Sequence, residues 1–230
     1  MDSLVLWDID RTLVTVDGLG REIFATAFRE VTGRDLERAP DFAGRTDYEL
    51  AATALVWHGI EVDRELLEVF FAAMSRGTSE RAADILMRGR ALAGSHAAIE
   101  AFAGLKASIQ TVATGNVPVA AHTKLAAFGL DTHLDLEIGG YGTDAAERPK
   151  VVGLARQRAE RRYGVRVPDG RVMVVGDTPN DVMAARANGF IAIAVATGNF
   201  GPDELRLAGA DLVLESLEGI GPAVELLKRR

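Results

Sequence analysis

Residues 8 to 12 read Asp-Ile-Asp-Arg-Thr, directly after a short apolar run, Leu4-Val5-Leu6-Trp7. Two carboxylates two residues apart repel each other and titrate abnormally unless a cation or a charged ligand compensates them. Alone, the pair reads equally well as a polar strand exit, since Asp is a common turn residue. Three further mainly apolar runs end in small or acidic groups. Residues 109–113 run into Thr114-Gly115-Asn116, 172–175 into Gly176-Asp177-Thr178-Pro179-Asn180-Asp181, and 191–196 into Thr197-Gly198-Asn199. Runs of this length without polar alternation suit strands buried on both faces of a parallel sheet. Their carboxyl ends would share one edge, where open α/β sheets bind ligands, so the four clusters would line one crevice. Asp8, Asp177 and Asp181 would concentrate negative charge there, an arrangement that makes physical sense mainly as a site for a hard divalent cation.

The elements that must position these residues follow from periodicity. Leu19, Ile23, Phe24, Ala27, Phe28 and Val31 recur at three and four, and Gly33 suits the end of that helix. Thr46 and Glu49 form a Thr-x-x-Glu capping box for a second helix, and Asp63 can cap a third, with a break or bend expected at Gly77. Helical spacing resumes over 81–88, and Trp57, Phe70 and Phe71 read as the core of this helical region. No convincing strand lies between about 16 and 88, whereas the flanks alternate strand and helix. The chain is therefore expected to be α/β, a Rossmann-like parallel-sheet core (1–15 and 89–230) with an inserted α-helical cap (16–88). Over the core the expected order is helix 95–103, strand 108–114, helix 117–128, a short strand 134–138, helix 149–163, strand 171–176, helix 179–188, strand 191–196 and a helix–strand–helix tail. Pro149, Pro179 and Pro202 sit at expected helix starts.

Composition narrows the function classes. With 230 residues and 48% hydrophobic content, the chain can bury a substantial core. A formal charge of −7 disfavours nucleic-acid binding, because a phosphate backbone wants a basic face. The longest apolar stretches are well short of a membrane span, and no charged-then-apolar leader is expected ahead of the first strand. Zero cysteines exclude disulfides, thiolate catalysis and cysteine zinc sites, in keeping with an expected cytoplasmic location. The four histidines, His58, His96, His122 and His133, lack ligand spacing. Nothing in the sequence demands an oligomer; monomer and homodimer are both compatible.

In order and approximate spacing, the Asp-x-Asp-x-Thr opening, the Thr-Gly-Asn strand end and the Gly-Asp-Thr-Pro-Asn-Asp segment resemble the haloacid dehalogenase-like phosphohydrolases, especially their phosphoglycolate-phosphatase-like branch. Two positions depart from that pattern. Arg11 follows Asp10 where the family usually has Gly, and the usual Lys-Pro ahead of a core helix reads Glu147-Arg148-Pro149-Lys150, leaving Arg148 or Lys150 as the cation. The resemblance implies a Mg²⁺-dependent phosphatase for a small phosphate ester, either phosphoglycolate-like or a sugar phosphate. Asp8 would be the nucleophile forming an aspartyl-phosphate, and Asp10 the acid and base. Asp8, the Asp10 backbone carbonyl and Asp177 would ligate Mg²⁺, with Asp181 behind them or acting through water. Thr12, Thr114, Gly115 and Asn116 would serve the phosphoryl oxygens. In the cap, Arg45, Thr46 and Asp47 resemble the substrate-recognition loop, although Thr46 and Asp47 fit simple helix capping equally well. A phosphomutase uses the same intermediate and stays open. A phospho-switch or binding protein with negligible turnover would need neither Asp10 as a proton carrier nor a helical insertion.

Overall fold

The computed structural model describes residues 3–228. In chain order it forms β1 (Ser3–Trp7), β2 (Val14–Val16), α1 (Leu19–Thr32), α2 (Asp47–Trp57), α3 (Arg64–Glu80), α4 (Ala82–Arg88), β3 (Gly89–Ala91), α5 (Ser95–Ala103), β4 (Ser108–Val112) and α6 (Pro118–Ala127). There follow α7 (Arg148–Tyr163), β5 (Val172–Gly176), α8 (Pro179–Ala187), β6 (Ile191–Val195), α9 (Pro202–Leu207), β7 (Leu212–Leu214) and α10 (Gly221–Lys228). The architecture is α/β, Rossmann-like: five parallel strands in the order β4-β1-β5-β6-β7 with helices on both faces.

Strand β1 is central and buried throughout, and its period-two alternation divides the core. Val5 and Trp7 face the layer containing Ala98, Ile99 and Phe102 of α5, while Leu4 and Leu6 face the layer containing Val152 and Ala155 of α7 and Val182 of α8. Trp7 reaches a polar partner, its Nε1 donating to Gln110 Oε1 at 3.0 Å, and its ring meets Phe102 edge-on. The register pairs Trp7 with both Val112 and Val175, and Val175 with Ile193. The strands thus end level, and the residues that follow them emerge along one edge.

A third apolar cluster joins α1 to α4, with Phe24, Phe28, Leu50, Leu55, Phe70 and Ile85 buried in it. Val117 and Ala120, beside and on α6, complete this cluster, so the helical segment packs directly on a core helix. Thr46 and Asp63 cap α2 and α3, accepting from the Glu49 and Leu66 amides.

Four local expectations need correction. Residues 134–138 form no strand. Leu136–Ile138 is a 3₁₀ turn, and the segment runs along the edge of β4 with scattered bonds, Asp135 N to Gln110 O and Gly140 N to Val112 O. Its alternating apolar residues are explained by one half-buried edge rather than by a regular ladder. Gly77 does not break α3, which continues to Glu80; instead the missing side chain admits Ile23 of α1, whose Cγ2 lies 3.3 Å from where a Cβ would stand. Trp57 is no core residue: it is 41% exposed, with the Arg38 guanidinium 3.8 Å above its ring. Strands β2 and β3 were unanticipated, and they pair antiparallel where the chain leaves and re-enters the sheet layer. Among the described residues, no helix is long and apolar enough to cross a membrane.

Candidate active site

The level strand ends bring the acidic residues together. Asp8 leaves β1 with its amide bonded to Val175 O at 2.8 Å, beside the end of β5 that carries Asp177. Asp181 lies in the first turn of α8, where its Oδ2 accepts from the Thr178 hydroxyl at 2.7 Å and the Thr178 amide at 3.2 Å. Each of Asp8, Asp177 and Asp181 is buried and offers an oxygen within 4.8 Å of the others. Two glycines make the cluster possible. A Cβ at Gly198 would lie 1.8 Å from Asp177 Oδ2, and one at Gly176 would lie 2.4 Å from the Asp181 carboxyl carbon.

Arg148, at the start of α7, is buried among these carboxylates. Its Nη2 donates to Asp8 Oδ1 at 2.5 Å, Asp181 Oδ1 at 2.7 Å and Ala113 O at 3.0 Å. Its Nε has no partner, the one such buried side-chain atom among the described residues. One cation faces three carboxylates, and the charge balance is visible in the protonation of Asp8 and Asp177. Burial pushes Asp8 up to about 7, opposed by Arg148 and reinforced by Asp181 and Asp10. Burial together with the Asp8, Asp181 and Asp10 charges pushes Asp177 up to about 9. Three hard oxygen donors within reach of one another, two of which resist ionisation without a further cation, fit a divalent metal site.

Asp10 belongs to a second polar group. Lys124 Nζ donates to both of its oxygens at 2.7 Å and to Asn116 Oδ1 at 2.8 Å. Asn116 Nδ2 donates to Asp10 Oδ2 at 2.8 Å and to Thr114 Oγ1 at 2.7 Å. Burial opposes ionisation of Asp10, but Lys124 and Asn116 outweigh it and hold the carboxyl below its ordinary value. Lys124 was not anticipated from the sequence. Its signal was present, because Val117, Ala120, Ala121, Lys124 and Leu125 fall on one helical face and Lys is the lone charge among them.

The segment before α2 is stitched onto the loops of the core. Asp47 N donates to Gly115 O at 2.7 Å, Tyr48 N to Gly142 O at 2.9 Å, and Thr46 Oγ1 to Ala146 O at 2.9 Å. The Asp47 carboxylate accepts from Val117 N at 2.6 Å, and burial pushes its pKa up to about 7 despite that bond. These contacts require bare backbone: a Cβ at Gly142 would lie 1.7 Å from Gly115 O, and one at Gly115 would lie 2.1 Å from Arg45 O. Gly139 to Gly142 is thus a packed junction.

A cavity of about 230 Å³ opens between the strand ends and the helical segment. Asp8, Asp10, Arg45, Asp47, Gly115, Asn116, Arg148 and Asp177 line it, together with Lys124. Thr12, Thr114 and Asp181 stand behind this wall, Thr12 Oγ1 lying 3.4 Å from oxygens of both Asp8 and Asp177. Thr46 points its hydroxyl at the Ala146 carbonyl. Lys150, the alternative to Arg148, is 65% exposed and paired with Glu147 at 2.7 Å, because it lies on the solvent side of α7. Arg11 adopts a left-handed φ of 64° and binds Asn199 across the cavity mouth.

The sequence pattern of the haloacid dehalogenase-like hydrolases matches residues 5–186. The chain is 28% identical over 234 residues to a protein of Dickeya dadantii described as "Probable phosphatase IndB", covering 99% of this chain and 96% of that one. Its fold is shared by a hydrolase from Pseudomonas syringae, at 18% identity and a TM-score of 0.68, covering 98% of both chains. It is shared too by CbbY from Rhodobacter sphaeroides, solved in complex with phosphate, at 19% identity and a TM-score of 0.67, covering 96% of this chain and 97% of that one.

Proposed function

The chain belongs to the haloacid dehalogenase-like hydrolase family, and from that premise we propose that it is a Mg²⁺-dependent phosphatase that cleaves a small phosphate ester through an aspartyl-phosphate on Asp8. The observation that carries this reading is the buried Asp8 carboxylate, set at the end of β1 against Arg148 and beside Asp177, on the wall of the cavity.

Asp8 and Asp177, with the Asp10 carbonyl, would hold Mg²⁺, which when bound offsets the charge between an anionic nucleophile and a dianionic phosphate. Arg148 directs donors at the same point and orients the Asp8 carboxylate. An Asp8 oxygen attacks phosphorus, the bond from phosphorus to the ester oxygen breaks, and Asp10, which takes up a proton from solvent as the dianionic ester enters beside it, gives that oxygen the proton. Asp10 then takes a proton from water as the water attacks phosphorus and the bond to Asp8 breaks. Gly115 and Asn116 line the cavity beside the transferring group, while Thr114 stands behind them and accepts from Asn116 Nδ2. Residues 16–88 act as a cap over a core of 1–15 and 89–230, with Arg45 and Asp47 reaching the ester from the cap side and excluding bulk water.

The test is phosphate release from p-nitrophenyl phosphate and a panel of small phosphate esters, with Mg²⁺ and with EDTA. Release that requires Mg²⁺ and disappears in Asp8→Asn is expected. Release that survives either treatment, or no release from any ester by folded protein with Mg²⁺, would overturn the reading.

A further inference from the structure

We propose that Lys124 is the positioning residue for Asp10, its ammonium fixing the orientation of the carboxylate that serves the leaving oxygen and the attacking water. The inference rests on the acid–base role given to Asp10 above. Lys124 is only 8% exposed, on the face of α6 that otherwise buries Ala120, Ala121 and Leu125. A charge among alanines and a leucine is costly unless it is paired. Its partners are specific: both Asp10 oxygens and Asn116 Oδ1, which occupy all three of its donors. A direct bond to a substrate phosphate would require giving one of these up, whereas Arg148 already fills the place beside Asp8. Asn116 closes the ring by donating to Asp10 and to Thr114. The Asp10 side chain nevertheless remains 44% exposed and lines the cavity, so the ring anchors it from behind and leaves a face toward the ester. Without Lys124, Asp10 keeps a single side-chain partner and is free to change rotamer.

The test separates esters by their need for a proton. p-Nitrophenolate leaves readily as an anion, whereas the alkoxide of glycerol 2-phosphate does not, and kcat/KM reports the steps up to loss of the alcohol. In Lys124→Met, kcat/KM for glycerol 2-phosphate is expected to fall by about 10²-fold, against less than about threefold for p-nitrophenyl phosphate, on the scale of general-acid catalysis. Lys124→Arg, which keeps the charge, should recover most of the loss. In an Asp10→Asn background, Lys124→Met should cost nothing further, because the residue it positions is already disabled. That double variant also lacks the unpaired buried charge, so the comparison stands even if the single variant folds poorly. Equal losses on both esters, a loss confined to KM, or additive losses in the double variant would overturn the assignment. Wild-type protein that hydrolyses neither ester would instead overturn the phosphatase reading, and with it the role on which this assignment depends.

Discussion

Removing a carboxylate from the acidic cluster should make the metal-free protein more stable. Asp177 is buried beside Asp8 and Asp181, and its folded pKa stands near 9 against an ordinary 3.8. For a carboxyl group raised in this way the folded state binds the extra proton, so stability is lost as pH rises from about 4 toward 9. At pH 7.5 the cost of Asp177 to the metal-free fold is about 3–5 kcal/mol, taking about 1.4 kcal/mol for each pKa unit as the scale. Asp177→Asn keeps the shape, never ionises, and can donate to a neighbouring carboxylate. In EDTA at pH 7.5 its melting temperature should exceed that of the wild type by on the order of 10 °C. The advantage should shrink to about 2 kcal/mol by pH 5, where the unfolded wild-type chain also begins to protonate. Thermal unfolding followed by circular dichroism, with and without Mg²⁺, reads all of this. Mg²⁺ should raise the wild type and leave Asp177→Asn nearly unmoved, since only the former offers the full donor set. An Asp177→Asn protein no more stable than the wild type in EDTA, or a gap that does not change with pH, would refute the argument that three carboxylates share one cation.

Three further outcomes follow from the same geometry. Divalent-ion affinity should weaken steadily from pH 8 to pH 6, and binding should release protons, because Asp8 near 7 and Asp177 near 9 must both ionise; calorimetry in buffers of different ionisation enthalpy measures both, and a pH-independent affinity would contradict it. Arg148→Ala should lower kcat/KM by about 10²-fold or more, the scale for losing one preorganised donor. Lys150→Ala, which changes only the exposed pair with Glu147, should leave steady-state rates unchanged.

How much of this was legible in the sequence depends on what each residue had to signal. The β1, β5 and β6 runs were readable because strands buried on both faces leave uninterrupted apolar stretches, whereas β4 contains Gln110 and Thr111 and was marked chiefly by the Thr114-Gly115-Asn116 cluster that follows it. Residues 134–138 alternate apolar and polar residues as a half-buried strand would, yet form a 3₁₀ turn, because the edge of β4 offers only scattered partners and Asp135 caps the Glu137 amide. Strands β2 and β3 are three residues each, too short for any period to show. Trp57 looked like core from its type alone, but its place at the end of α2 leaves it half outside under Arg38. At the site, Asp8, Asp177 and Asp181 were readable as a charge cluster, and the choice between Arg148 and Lys150 needed the helix phase of α7. Lys124 was missed because a lysine among alanines reads as a solvated side chain until the face it shares with Leu125 is known to be buried.

The central claim is that Asp8 takes the phosphoryl group, and a pre-steady-state burst tests it most directly. In Asp10→Asn with Mg²⁺ and p-nitrophenyl phosphate, the nitrophenolate leaves without an acid, but the water that should discharge Asp8 has lost its base. A rapid release approaching one nitrophenolate per enzyme, followed by slow turnover and a phosphorylated Asp8 peptide in acid-quenched protein, is the expected result. Nitrophenolate and phosphate released in step from the first turnover, with no phosphoryl group on Asp8, would contradict it.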